Sequence, residues 1–143
     1  MENRYLYRAK RKNWRELPKE VWWVEGYYAF VDNHHYIYTG NLYNGGLYVV
    51  AERFEIDITT LCACTGLKDK NGKLIWENDV MVAHLDDCFP EDATYTRVVW
   101  DNNGFCTKEQ GSEDISPLDK FDQEHFEVCG NIFDNMEMLE VGE

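Results

Sequence analysis

The sequence contains no apolar run approaching the roughly 20 residues that a bilayer-spanning helix requires. It has no apolar leader core either, because Tyr5 to Tyr7 run directly into Arg8, Lys10, Arg11 and Lys12. Its five cysteines (Cys62, Cys64, Cys88, Cys106, Cys129) form an odd set without framework spacing, which excludes a disulfide scaffold and points to reduced thiols in a cytoplasm. Helix signals are few, and internal repeats and low-complexity tracts are absent. Basic residues are the minority charge, 14 Lys and Arg against 27 Asp and Glu, so the net charge is −13. Such a body repels nucleic-acid phosphate and anionic membranes at long range. The charge is unevenly placed. Residues 1–20 carry seven basic and three acidic side chains, a balance of +4, which leaves −17 for the remaining 123.

What the chain does have is aromatic and β-branched residues, in short segments separated by turn signals about every ten residues. Arg4 to Ala9 reads as a strand; Val21 to Val24 and Tyr27 to Val31 flank Glu25-Gly26; Tyr36 to Tyr38, Leu47 to Val50 and Arg53 to Ile58 follow, with Asn44-Gly45-Gly46 as a break. Leu74 to Trp76, Val80 to Leu85 and Tyr95 to Trp100 come next. Asp101-Asn102-Asn103-Gly104 then joins the last of these to Phe105-Cys106-Thr107 as a hairpin, because Asn-Gly tolerates positive φ. Phe126-Glu127-Val128 leads into Cys129 to Phe133. Short turns are expected after Asp57 and through Met136-Glu137-Met138-Leu139, the latter capped by the Asn135 side chain. Residues 109–125 read as an exposed loop with a few apolar anchors. This is the pattern of an all-β barrel or sandwich rather than of βαβ units. The seam lies near residues 58–66, giving an aromatic-rich N-terminal β subdomain over 1–60 and a C-terminal subdomain over 61–143.

The stretch Gly66 to Asp79, GLKDKNGKLIWEND, opens like a calcium loop. Counting from Asp69, however, the fifth position is Lys73, the sixth is Leu74 and the twelfth is Val80. An EF-hand needs an oxygen ligand, a glycine and a bidentate Glu there, so calcium is rejected. A turn fits instead: Asp69 accepts from backbone N–H groups ahead of it, and Asn71-Gly72 supply positive φ. Asn78 sits where a left-handed residue fits, and Asn is the commonest substitute for Gly there. Thr65 to Val82, TGLKDKNGKLIWENDVMV, resembles the segment TGLKDKNGKxIYEGDIV of the YopX family of phage and prophage proteins. Tyr7-Arg8-Ala9 resembles that family's opening Phe-Arg-Ala, and Val98-Val99-Trp100-Asp101 its V-x-W-D strand. Val128 to Asn135, followed by Glu137, Met138 and Leu139, resembles its closing IGNIYDNPELL. Asn78 replaces the usual Gly and Met136 the usual Pro; both keep the backbone conformation accessible. The resemblance implies a small β-rich protein of the bacterial host cytoplasm whose C-terminal half is a compact SH3-like barrel. It implies no catalytic residues.

The residues themselves support no chemistry more strongly. Cys62-x-Cys64 with His84 and Cys88 lacks the paired knuckles of a zinc site, so neither a metal nor any other cofactor is expected. His34, His35, His84 and His125 are scattered away from any recognisable nucleophile. Asp86-Asp87, Glu91-Asp92, Glu113-Asp114, Asp119 and Asp122 lie in polar contexts that read as a solvated acidic face, a second candidate surface for a partner. Two binding surfaces compete. Trp22, Trp23, Tyr27, Tyr28, Tyr36 and Tyr38, with Phe30, Tyr43 and Tyr48 nearby, place rings on both sides of the strands. One side fills the core, and the other suits a protein partner or a second copy of the chain. Arg4, Arg8, Lys10, Arg11 and Lys12 interleave with Tyr5, Tyr7 and Trp14, the composition of a single-strand nucleic-acid surface. The expectation is a non-enzymatic interaction module using the aromatic half, with nucleic-acid binding through residues 4–15 as the alternative.

Overall fold

The computed structural model describes residues 6–42, 48–85, 88–89, 91–102 and 104–139, with backbone alone at 41–42 and 48–51. Arg4, Tyr5, Tyr43, the Asn44-Gly45-Gly46 break, Asp86-Asp87 and Asn103 lie outside the described residues. The chain is mainly β and divides into two compact units, residues 1–64 and 65–143. No described helix is long and apolar enough to cross a membrane.

In the first unit, β1 (Tyr7–Lys10), β2 (Trp23–Val31), β3 (His34–Leu42) and β4 (Tyr48–Glu55) are antiparallel neighbours in that order. The start of β5 (Cys62–Lys68) pairs on the far side of β1. Asp32 and Asn33, with φ of 49° and 65°, turn β2 into β3. Positive φ at both central residues matches the right-handed twist of a two-residue hairpin, and Asp and Asn tolerate it. Glu25-Gly26 is not the break its glycine suggested, for β2 runs straight through it. Gly26 is needed for another reason: a Cβ there would fall on the Tyr38 carbonyl oxygen of the neighbouring strand. Likewise the two segments expected at Leu47 to Val50 and Arg53 to Ile58 meet in a single strand, β4, which ends at Glu55; Leu47 lies outside the described residues. One side of this sheet closes over Ala9, Val24, Ile37 and Ile56, with Tyr7, Tyr28, Phe54 and Leu61 packed against them. Asp57 starts the short turn Ile58–Thr60 by accepting from the Thr59 amide at 3.1 Å.

The second unit holds β6 (Leu74–Trp76), β7 (Asp79–Ala83), β8 (Thr94–Asp101), β9 (Gly104–Glu109), β10 (Ile115–Pro117), the helix α1 (Lys120–His125) and β11 (Glu127–Asn131). The antiparallel order is β10-β9-β8-β7-β11, a meander whose last strand returns beside its first. Ile75, Met81, Ala83, Val98 and Phe126 form its core. Asp101 pairs with Gly104 at the expected β8–β9 hairpin.

The GLKDKNGK turn is as the sequence reading has it, and tighter. Asp69 Oδ1 accepts from the Asn71 and Lys73 amides, both at 2.9 Å, and Oδ2 accepts from the distant Val128 amide at 2.8 Å. The left-handed position is Gly72 (φ 81°) and not Asn71, which stays in ordinary backbone space. Asn78 does adopt the left-handed conformation, at φ 70°. The expected loop over 109–125 is corrected. It contains β10 and α1, and α1 begins with a reciprocal box in which Asp119 accepts from the Asp122 amide and Asp122 from the Asp119 amide. Asp in both places supplies the acceptors that Ser or Thr and Glu usually provide. The Asn135 side chain also differs from expectation. Instead of capping the turn Met136–Leu139, its oxygen reaches back to the Asn131 amide, and a Cβ on Gly130 would collide with it.

Candidate interaction surface

Strand alternation and register decide which aromatics share a face. Tyr27 pairs with Tyr38 and Ala29 with Tyr36 across β2–β3, while Tyr38 pairs with Arg53 across β3–β4. Trp23 pairs with Lys10 and Glu25 with Arg8 across β1–β2. Residues two apart on a strand point the same way. Lys10, Arg8, Trp23, Tyr27, Tyr38, Tyr36 and Arg53 therefore share the side of the sheet opposite the core. Trp23, Tyr27, Tyr36 and Tyr38 are half-buried. Tyr28 belongs to the other side: it pairs with the fully buried Ile37, packs on the core and bonds His35 through its hydroxyl. Trp22 lies just before β2, its indole N–H donating to the Leu17 carbonyl at 2.9 Å.

Of the basic stretch, Arg8 and Lys10 share this face, whereas Arg11 lies on the core side, over Phe54. Lys10 is only 2% exposed, and its ammonium stands 3.8 Å from the Trp14 ring centroid and 4.5 Å from that of Trp22. Arg8 lies 5.0 Å over Trp23, and Arg11 4.2 Å over Phe54. Lys12 reaches Glu55 at 2.9 Å. Cations so placed interact with ring quadrupoles inside the protein, and Lys10 is withdrawn from any phosphate. Arg4 lies outside the described residues.

Arg53, which the sequence reading passed over, completes the row. Its guanidinium sits 4.3 Å over Tyr36 and donates to the Tyr38 hydroxyl, and that bond, followed by the nearby Tyr36, raises its pKa further. No local signal marks it, because the face that Arg53 shares is set by its register with β3. Beside the row, His34 and Lys12 bond Glu55 and hold its carboxyl below the ordinary range. Burial alone would lift Asp57, but bonds from Thr59 and from the Trp14 indole outweigh it, and its pKa is lowered.

The remaining candidates are dispersed. Cys62 and Cys64 are buried, Cys62 donating to the Thr60 carbonyl, whereas Cys88 is exposed. His84 bonds the Asp92 carbonyl. Among the described residues no three His, Cys, Asp or Glu side chains gather as a metal site. Burial and then the charge of Glu127 raise the Cys129 pKa, the reverse of an activated thiol.

Comparison with known families settles the class. The model of the family described as YopX protein matches residues 3–140. The chain belongs to the YopX family. No curated protein matches it. The crystal structure of protein EF1440 from Enterococcus faecalis is similar, with a TM-score of 0.56 over 94% of this chain and 96% of that one, at 19% identity. At that identity the likeness concerns the fold alone. Of the stretches that carry the YopX resemblance, two hold the turns at Asp69, Asn78 and Asn131, and two are strand segments in β1 and β8.

Proposed function

We propose that this member of the YopX family is a non-enzymatic interaction module, phage- or prophage-encoded and working in the host cytoplasm, that binds a protein partner or a second copy of itself. The docking surface is the aromatic and cationic face of the first unit: Trp23, Tyr27, Tyr36 and Tyr38, flanked by Arg8 on one side and Arg53 on the other. One observation carries this reading. The side of the sheet away from the core is faced with half-buried rings and arginines instead of small polar residues. Tyr, Trp and Arg are the residues that dominate binding energy at interfaces, because each combines a large apolar area with a polar tip. In the second unit, the strand order and the helix between the fourth and fifth strands of the sheet support the SH3-like reading.

A nucleic-acid surface is the second reading, favoured by the same alternation of rings and arginines. The caged Lys10 and the net charge of −13 weigh against it. The two separate in one experiment. Tagged protein is recovered from prophage-induced cells with and without nuclease, beside a Tyr36→Ala/Tyr38→Ala/Arg53→Ala variant, and the purified mass is measured by light scattering. A stoichiometric protein, or a dimer, that survives nuclease and is lost in the variant supports the module. Material lost on nuclease treatment overturns it in favour of nucleic acid.

A further inference from the structure

The core of the second unit does not stay apolar to its end. Along β8, Thr94, Thr96 and Val98 share one side, and Val98 is fully buried in the core. Register places Glu109 beside Thr96, Thr107 beside Val98 and Ser116 beside Thr107 on that same side. The apolar interior therefore gives way to hydroxyls and a carboxylate, and here a cleft of about 450 Å³ opens. Its walls add Ser112, Asp114, Asp119 and Asp122; Phe126 lies buried at its base, and the half-exposed Phe121 stands at its edge.

Two properties give the cleft a chemical sense. Among the described residues no lysine, arginine or histidine lines it, whereas Glu109, Asp114, Asp119 and Asp122 do. Thr96 is only 5% exposed, and its hydroxyl finds no hydrogen-bond partner. A buried hydroxyl left unpaired is destabilising, and valine in the same shape would be free of that cost. Carboxylates and hydroxyls together ask for a ligand that is positively charged and rich in N–H donors, and an aromatic edge offers it a ring face. Gathering of metal ligands is absent among the described residues, which leaves an organic cation.

We propose that this cleft binds a guanidinium or ammonium group, with Glu109 and Asp114 supplying charge and the Thr96 hydroxyl accepting one of its N–H bonds. The group comes either from a basic side chain of a partner or from a free polyamine. The test uses the full chain and two probes, N-acetyl-arginine amide and spermidine, followed by backbone amide shifts and calorimetry. Saturable one-to-one binding that moves the amides of Thr96, Thr107 and Glu109 is expected from at least one probe. Arginine amide alone assigns the site to a partner's side chain, and spermidine alone to a free polyamine. Thr96→Val should melt at or above the wild-type temperature yet bind about tenfold more weakly, since it removes only an acceptor to a charged donor. Glu109→Gln should weaken binding by about the same factor. Absence of saturable shifts with both probes overturns the proposal. So does binding that both variants leave unchanged, which would be attraction to the overall negative charge.

Discussion

Asp69 is the point where loss of one side chain should be felt most sharply. Its carboxylate is 6% exposed and accepts from Asn71, Lys73 and Val128 at 2.9, 2.9 and 2.8 Å. Asp69→Ala leaves all three amides without their acceptor. Asn71 and Lys73 are exposed, so water recovers much of those bonds, and each costs about 1 kcal/mol. Val128 is half-buried 59 residues away, and its amide is stranded at about 2 kcal/mol. The total is roughly 4 kcal/mol, at the upper end for a single substitution, and corresponds to a fall in Tm of about 10 °C for a chain of this size. Asp69→Asn should lose about half as much, because one amide oxygen still serves Asn71 and Lys73 while its NH2 faces the Val128 N–H as a second donor. Urea unfolding, with hydrogen exchange at Asn71, Lys73 and Val128, measures both. A loss below about 1 kcal/mol in Asp69→Ala, or unchanged protection at Val128, would refute the reasoning.

Gly26→Ala should cost about 3 kcal/mol, because the new methyl overlaps the Tyr38 backbone and β2 and β3 must separate to admit it; a melting temperature within a degree or so of wild type would contradict the close approach. Burial first, then the charge of Asp119, raises the Asp122 pKa, so the folded state holds this proton more tightly than the unfolded chain. The stability this group contributes is therefore present at acid pH and declines as pH rises through the raised value. Asp122→Asn keeps an oxygen for the Asp119 amide and removes that decline, so urea midpoints from about pH 3 to pH 7 should show the variant gaining on wild type toward neutrality; parallel curves would show that the carboxyl is not perturbed.

How much of this was legible in the sequence follows from the range of the interactions. The bend at Asp69, the left-handed Asn78 and the Asp101–Gly104 hairpin rest on contacts within a few residues, and local turn chemistry is written in order along the chain. The partner of Asp69 at Val128 is 59 positions away and leaves no local trace. Helix α1 escaped because six residues are too few to show periodicity, and its box uses aspartate at both ends. Glu25-Gly26 misled because glycine marks either a break or a close approach, and only the neighbouring strand tells which. The aromatic stretch showed that rings face both ways. It did not show that Tyr28 goes to the core, or that Arg8 and Arg53 join Trp23 and the other tyrosines, since that depends on register.

The side chains that carry the family resemblance are already engaged by the fold. Asp69 is held by three amides; Asn131 Oδ1 accepts from the Phe133 and Asp134 amides, and Asn135 closes back on Asn131. Asn78 spans the second unit, donating to the Val98 carbonyl and accepting from Ile132 through its backbone and from Arg97 through its side chain. A group whose lone pairs are taken up in this way has little left to offer a ligand. The motif thus specifies turns of the second unit, where the cleft lies; the aromatic face of the first unit takes its register from the Asp32-Asn33 hairpin. Arg8 is the point of overlap, standing in both an opening motif and the aromatic face. Substitutions should divide accordingly. Changes at Asp69, Asn78 or Asn131 lower stability and affect binding only through it. Changes at Tyr36, Arg53, Thr96 or Glu109 alter affinity at nearly constant stability. A variant of Asp69 that melted normally but lost its partner would place recognition in the turn itself and break this division.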